Sequence, residues 1–174
     1  MRLSYTSHRI TDTVLVDDSS RRLYATTSST FGRTTDVLKF DGSNSSNLAS
    51  LHFHGWSSDT VAIHGRQRNA REYLTKQCDT QAASLYSLRL WHLSSTLPYY
   101  QLSLFSGPEV GRAHSRSLGL LGNKHPAYLE FSDDARVLND LDELVATFVY
   151  VQIRREKNQR STNAGAAAGA SAGV

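Results

Sequence analysis

Cysteine, proline and methionine are scarce in these 174 residues: one, three and one respectively. Cys78 has no partner in the chain, which excludes an internal disulfide and any zinc site built from cysteines. Few prolines, with 39% hydrophobic and 20% charged residues, exclude a low-complexity or disordered chain. Long apolar runs are missing too. The longest, Leu144 to Ile153, falls well short of the roughly 20 residues that cross a bilayer, so no transmembrane segment is expected. Met1-Arg2-Leu3-Ser4-Tyr5-Thr6-Ser7-His8 has no apolar stretch, so no leader peptide is expected. The chain is accordingly read as intracellular and cytoplasmic, and the sequon Asn44-Ser45-Ser46 then carries no weight. A length of 174 residues suits one domain able to bury its own core.

The formal charge of +3 is local. Arg154, Arg155, Lys157 and Arg160 against Glu156 supply all of it. A nucleic-acid surface spreads its cations over a face of the domain, so no nucleic-acid partner is expected.

What is present is β pattern. Leu3–Tyr5, Thr13–Val16, Arg22–Thr27, Thr34–Phe40, Leu48–Trp56, Val61–His64, Glu72–Leu74, Leu85–Trp91, Tyr99–Phe105, Val110–Arg116 and Ala127–Phe131 read as strands separated by turn clusters. That spacing is the rhythm of a sandwich or barrel. Asp41 to Asn47 reads as a loop. The last apolar segment differs. Asp140 and Glu143 precede it in capping-box spacing, and Arg154, Arg155 and Lys157 follow it, where cations favour a helix C-terminus. Leu144 to Ile153 places apolar side chains in nearly every direction at about 100° per residue. The expectation is a helix over about 140–157, buried on all sides, with Phe148 and Val149 in the core. A strand is the alternative, because Val145 to Val151 is rich in β-formers. One domain is expected over 1–160, followed by a disordered Ala/Gly-rich tail over 161–174.

Several stretches resemble an uncharacterised fungal (basidiomycete) family, domain of unknown function 6593. They are Leu23-Tyr24, Arg33-Thr34-Thr35, Trp56-Ser57-Ser58-Asp59, Gly122-Asn123-Lys124-His125-Pro126-Ala127-Tyr128-Leu129-Glu130, and Leu141 to Val151 ending in Arg154-Arg155-Glu156. The resemblance covers about residues 1–160, and the Pro-Ala-Tyr-Leu-Glu and Thr-Phe-Val-Tyr-Val segments are its most specific parts. The family is similar in outline to tubby C-terminal-like domains. The resemblance implies a closed antiparallel barrel of about 11–12 strands around a hydrophobic C-terminal helix, and it implies no activity. The stretch Gln77 to Leu85 departs from the expected charged, glycine-containing turn.

Two constellations could carry chemistry. His52 and His54, two apart on a strand, project to one face, an arrangement that resembles the metal ligands of cupins. The carboxylate that follows, Asp59, comes late and in a turn. Arg112, His114 and Arg116 share a strand face, and Arg66, Arg68 and Arg71 form a second cluster. With Lys124 these arginines could build an anion pocket for a phosphorylated headgroup, a use that some tubby-like barrels make of basic residues. The plain alternative is a solvated face whose arginines pair with nearby acids. Nucleophile and phosphate-loop patterns are absent: no Gly-x-Ser-x-Gly elbow occurs, and Gly119 to Lys124 lacks the length and hydroxyl of a P-loop. No catalytic residue and no cofactor is expected. The leading expectation is a non-enzymatic binding module for an anionic lipid headgroup such as a phosphoinositide, or for a protein partner, through Arg66, Arg68, Arg112 and Arg116. A metal-dependent cupin-like barrel enzyme using His52 and His54 is one alternative. A structural scaffold without a small ligand is the other.

Overall fold

The computed structural model of the chain describes residues 1–76, 86–87, 100–104, 109–117 and 125–170. Its elements are β1 (Arg2–Tyr5), β2 (Thr13–Val16), β3 (Arg22–Ser28), β4 (Thr34–Asp41), β5 (Asn44–His52), β6 (Thr60–Ile63), β7 (Arg66–Asn69), α1 (Ala70–Lys76), β8 (Tyr86–Ser87), β9 (Tyr100–Leu104), β10 (Glu109–His114), β11 (Tyr128–Phe131), α2 (Ala135–Asn139) and α3 (Leu141–Ala170). The domain is mainly β. Among the described residues, 11 strands form one antiparallel sheet in the order β7-β6-β5-β4-β3-β2-β1-β11-β10-β9-β8. Strands β1 to β7 pair with their sequence neighbours, and β1 joins β11 with Leu3 opposite Leu129. The outermost strands β7 and β8 are not paired with each other among the described residues. Hydrogen bonding therefore does not close the sheet, and the expected closed barrel is met only as a sheet with a C-terminal helix.

Alternation decides which face is inside. In β2, β6 and the first half of β4 every second residue is buried, so Leu15, Val37 and Val61 join Leu3, Leu51 and Leu129 in one core. The other half of that core is α3. Leu141, Leu144, Val145, Ala146, Thr147, Val149, Tyr150, Val151 and Ile153 are all buried, which covers nearly every direction around the axis. The helix apolar on all sides is thus buried on all sides. Phe148 is only half-buried, packed against the edge of the core.

Polar pins fix the position of the helix against the sheet. Near its start, Asp142 accepts from the Tyr24 hydroxyl (2.7 Å) and from Lys39 Nζ (2.7 Å). In the middle, the hydroxyls of Thr147 and Tyr73 are 3.0 Å apart. Further along, the Tyr150 hydroxyl donates to Asp59 (3.0 Å). Apolar contact is non-directional, so these bonds are what resist sliding or rotation of α3.

Several local expectations are corrected. Glu72 to Leu74 is part of the helix α1, not a strand; the Asn69 side chain caps it by accepting the Arg71 N–H at 2.9 Å. Asp41 to Asn47 is a tight hairpin, not a loop: Asp41 pairs with Asn44, and Gly42 takes the positive φ (61°) that the turn demands. The segment around Arg66 and Arg68 is strand β7, reached through His64 and Gly65, both at positive φ (49° and 76°). That is the conformation of a type I′ hairpin. Strand β5 ends at His52, so His54 lies in the following loop. Asp142 and Glu143 stand in the first turn of α3, as acids at a helix start should, and Asp134 and Asp140 frame α2, an additional helix. Asp134 caps it, and hydrogen bonds from Arg136 hold the Asp134 carboxyl low, at about 2. Asp140 stands between the two helices as the C-cap of α2. Helix α3 runs on to Ala170, beyond the basic residues that would end it and into the stretch expected to be disordered. Residues 158–161 are exposed.

Candidate functional site

Strand directions divide the connections between the two ends of the sheet. Tyr5 opposite Leu15, Ser28 opposite Thr35, Thr34 opposite His52, His52 opposite Thr60 and His114 opposite Tyr128 all mark one end. There lie the β1–β2 turn (6–12), the β3–β4 turn (29–33), the β5–β6 loop (53–59) and the residues flanking β10 and β11 (115–117 and 125–127). Backbone bonds tie these pieces together: the Phe53 N–H donates to the Arg33 carbonyl (2.7 Å), and Ser117 and His125 exchange bonds of 3.1 and 3.3 Å. Helix α3 reaches the same end, where Lys157 Nζ donates to the Gly32 carbonyl (2.6 Å) and sits 4.0 Å over the Phe53 ring.

A buried carboxylate organises this junction. The Asp59 side chain is 2% exposed. Its Oδ1 accepts the His54 N–H (2.9 Å); its Oδ2 accepts the Tyr150 hydroxyl (3.0 Å) and lies 3.5 Å from Arg154 Nε. Its backbone carbonyl accepts the Ala70 N–H at the start of α1 (2.8 Å). Tyr150 is pushed well above the ordinary phenol range, by burial first and by Asp59 second. Burial pushes Lys157 down, against an upward pull from Asp59. Both Asp59 oxygens are occupied from within the fold, so this carboxylate anchors the loop to the helix and is no free acid or base.

At the same end of the sheet is a cleft of about 350 Å³ bordered by Tyr5, Thr6, His8, Arg116, His125 and Ala127, with no carboxylate among the described residues of its wall. Arg116 Nη1 lies 2.7 Å from His8 Nδ1 and 2.8 Å from Nε2. Guanidinium can only donate, so it meets the imidazole as an acceptor. His125 Nδ1 is 2.9 Å from the Pro126 carbonyl; a carbonyl only accepts, so Nδ1 carries the proton there. Permanent charge, imidazoles and open volume make this a cleft chemically suited to an anion, with Glu156 the acid felt at its Tyr5 wall.

Residues 8–157 match a family of unknown function, DUF6593. The chain belongs to the DUF6593 family. No curated protein and no solved structure matches it. In this DUF6593 domain the matched region takes in His8, Arg116 and His125 of the cleft, though not Tyr5 and Thr6, together with the buried carboxylate and α3 as far as Lys157.

The DUF6593 fold separates the arginines that the sequence grouped. Arg116 faces the cleft just described. Arg112 forms a two-bond ion pair with Glu109 (2.6 and 2.7 Å), which is the solvated, acid-paired face that was the plain alternative. His114 pairs with Glu130 (3.1 Å) and stacks on Tyr128 at 4.2 Å. Arg66 and Arg68, both exposed, border another cleft of about 340 Å³ with His64, Tyr73 and Glu143. In sheet order, seven strands separate β7 from β10, and Arg66 starts its strand at the end opposite Arg116. His52 Nδ1 is 3.3 Å from the Thr34 hydroxyl, while His54 contributes its backbone N–H to Asp59. Among the described residues, no group of three or more His, Cys, Asp or Glu side chains could hold a metal. Lys124 and Cys78 lie outside the described residues, as does Gln77 to Leu85. Sequence reading missed His8, His125 and the anchoring role of Asp59. The carboxylate was visible as an isolated acid after Trp56-Ser57-Ser58, but only its depth in the fold reveals its role. No described helix is long and apolar enough to cross a membrane.

Proposed function

We propose that this DUF6593 domain is a non-enzymatic binding module that recognises a phosphate-bearing anionic headgroup at the end of the sheet where Arg116, His8 and His125 converge. The observation that carries the reading is the cleft holding these three groups, with no carboxylate among its described lining residues. Phosphate is matched by a guanidinium donor fork, and an anion would replace His8 as the acceptor of the Arg116 N–H. Arg66 and Arg68 form a secondary basic site, weakened by Glu143 in the same wall. Arg112 is engaged by Glu109 and is set aside. The enclosure of α3 on all sides supports a sheet that curls around the helix in a tubby-like barrel. The lone cysteine is in keeping with work inside the cell.

Thermal stability measured with a soluble inositol polyphosphate and with inorganic phosphate tests the proposal. A ligand at about 100 times its dissociation constant adds about 2.7 kcal/mol to the folded state. The expected result is a salt-sensitive rise in Tm with the polyphosphate that Arg116→Ala removes and Arg112→Ala leaves intact. No rise at millimolar ligand, or an undiminished rise in Arg116→Ala, would overturn it.

A further inference from the structure

Phe31 and Trp56 are the most exposed large hydrophobic residues among those described, at 87% and 106%. A single exposed aromatic is ordinary. These two, however, stand in neighbouring turns: Phe31 in the β3–β4 turn and Trp56 in the β5–β6 loop, which are stitched together by the Phe53-to-Arg33 bond and share the Thr34–His52 pair beneath them. Arg33 is exposed beside Phe31, and its side chain makes no bond among the described residues. The basic run of α3 arrives at the same place, some 100 residues later in the chain. Lys157 is bonded to Gly32, next to Phe31, and Arg154 pairs with Asp59, at the far side of the Trp56 loop. The loop's only acid, Asp59, is buried and already matched.

We propose that this end of the domain docks on an anionic membrane surface, with Phe31 and Trp56 entering the headgroup–acyl boundary and Arg33, Arg154 and Arg160 lying against the headgroups; Arg160 is exposed, and its pair with Glu156 is a long 3.6 Å. The inference deepens the headgroup reading and rests on it for the chemistry of the partner, but it uses different residues. Aromatic rings with free tips favour the interfacial layer. Each basic residue near an anionic leaflet raises partitioning roughly fivefold. The charge beside the rings selects an anionic lipid surface over a neutral one, and it is the reason to prefer a membrane to an apolar protein groove. Neither tip lies over a described apolar cleft that could receive it. The Asp59 anchor holds the Trp56 loop to α3, so the two tips and the basic run are presented as one rigid face.

The test uses the full chain with vesicles of phosphatidylcholine alone and of phosphatidylcholine mixed with phosphatidylserine, both carrying bromine on the acyl chains. Expected are quenching and a blue shift of tryptophan emission on the anionic vesicles only, weakened by salt. Trp56→Phe abolishes the signal while preserving co-sedimentation, which excludes Trp91 as its source. Phe31→Ser/Trp56→Ser lowers vesicle affinity at least about tenfold, given the area of two rings, with an unchanged Tm and unchanged response to soluble polyphosphate. Undiminished co-sedimentation of the double variant overturns the proposal. So does quenching that is equal on neutral vesicles, or absent from anionic ones, in which case the tips are left to a protein partner. If Arg116→Ala loses the polyphosphate response while quenching persists, docking stands apart from the cleft. If the wild type responds to polyphosphate but shows no quenching, the cleft stands and the docking falls.

Discussion

The Asp59–Tyr150 bond offers the most direct check on how α3 is held. Tyr150→Phe removes one hydroxyl and leaves the ring, which stacks on Phe53 at 5.6 Å with planes 4° apart. Packing is therefore nearly conserved, and the measured change reports the bond. A hydrogen bond to a charged acceptor contributes about 1.5–3 kcal/mol. After the substitution Oδ2 still has Arg154 Nε at 3.5 Å, and Oδ1 still has the His54 N–H, so the lower part of that range applies. We expect a loss of about 1.5–2 kcal/mol, which for a chain of this size lowers Tm by about 3–8 °C.

Asp59→Asn is the partner variant. It removes the charge that Arg154 and Tyr150 face, and breaking a buried ion pair costs about 3–5 kcal/mol. The Arg154 side chain is 44% exposed, so solvent screens the pair and about 2–3 kcal/mol is the expected loss. In the Asp59→Asn background Tyr150→Phe should cost about 1 kcal/mol less than in the wild type, because the charged bond is already gone. Urea unfolding of the four proteins, with unchanged m values, gives this coupling directly. A single-variant loss under about 0.5 kcal/mol, or strict additivity, would refute the view that this carboxylate fixes the helix.

Alkaline pH gives a second check. Burial foremost pushes the hydroxyls of Tyr5, Tyr24 and Tyr150 far up, with Glu156, Asp142 and Asp59 adding to the effect. The unfolded chain then releases phenol protons above about pH 10 while the fold retains them, so stability falls as pH rises, by up to about 1.4 kcal/mol per pH unit for each tyrosine; a flat urea midpoint between about pH 9 and 11 would contradict the burial of these hydroxyls. In α3, Val149 is fully buried, so Val149→Asp should abolish cooperative unfolding, whereas the half-buried Phe148 should lose only about 1–3 kcal/mol on change to Ala, below the 3–5 of a full core truncation. Equal Tm losses in the two variants would show the helix to be turned differently about its axis.

The parts of the fold legible in the sequence are those whose signal is periodic. Strands β2, β4, β6 and β11 alternate buried and less buried residues, and α3 is apolar in every direction, so pattern alone located them. What escaped was set by single residues. The helix α1 depends on one Asn69 side chain capping a short run that otherwise has the aromatic content of a strand. The β4–β5 hairpin depends on one left-handed glycine inside a polar stretch that reads as open loop. The candidate site was less legible still. The arginines were grouped by spacing along the chain, but registry sends Arg66 to one end of the sheet and Arg116 to the other, and Glu109 engages Arg112. His8 and His125, 117 positions apart, meet through the β1–β11 junction, and no local pattern anticipates a long-range pairing.

The same argument applies to charge. Summed along the chain, everything outside the C-terminal run is neutral, which argued against a basic surface. The fold sorts that neutral remainder by end. Arg9, Arg33 and Arg116, against Asp12 and the buried Asp59, lie in the connections at the end reached by Arg154 and Lys157, while Asp17, Asp18, Asp41, Asp133, Asp134 and Glu143, against Arg21 and Arg136, lie in those at the other. Acids and bases that cancel in a sum do not cancel in a field when a strand length separates them, because that distance exceeds the screening length of about 8 Å at physiological salt. The domain thus has a charge axis along the strands, and a negatively charged surface within reach of that field turns the Phe31 and Trp56 end toward itself before contact. Reversing Arg33 to Glu should therefore slow association with anionic vesicles more than it raises the dissociation rate. The opposite pattern in stopped-flow mixing would mean that Arg33 acts by direct contact and that the axis does no steering.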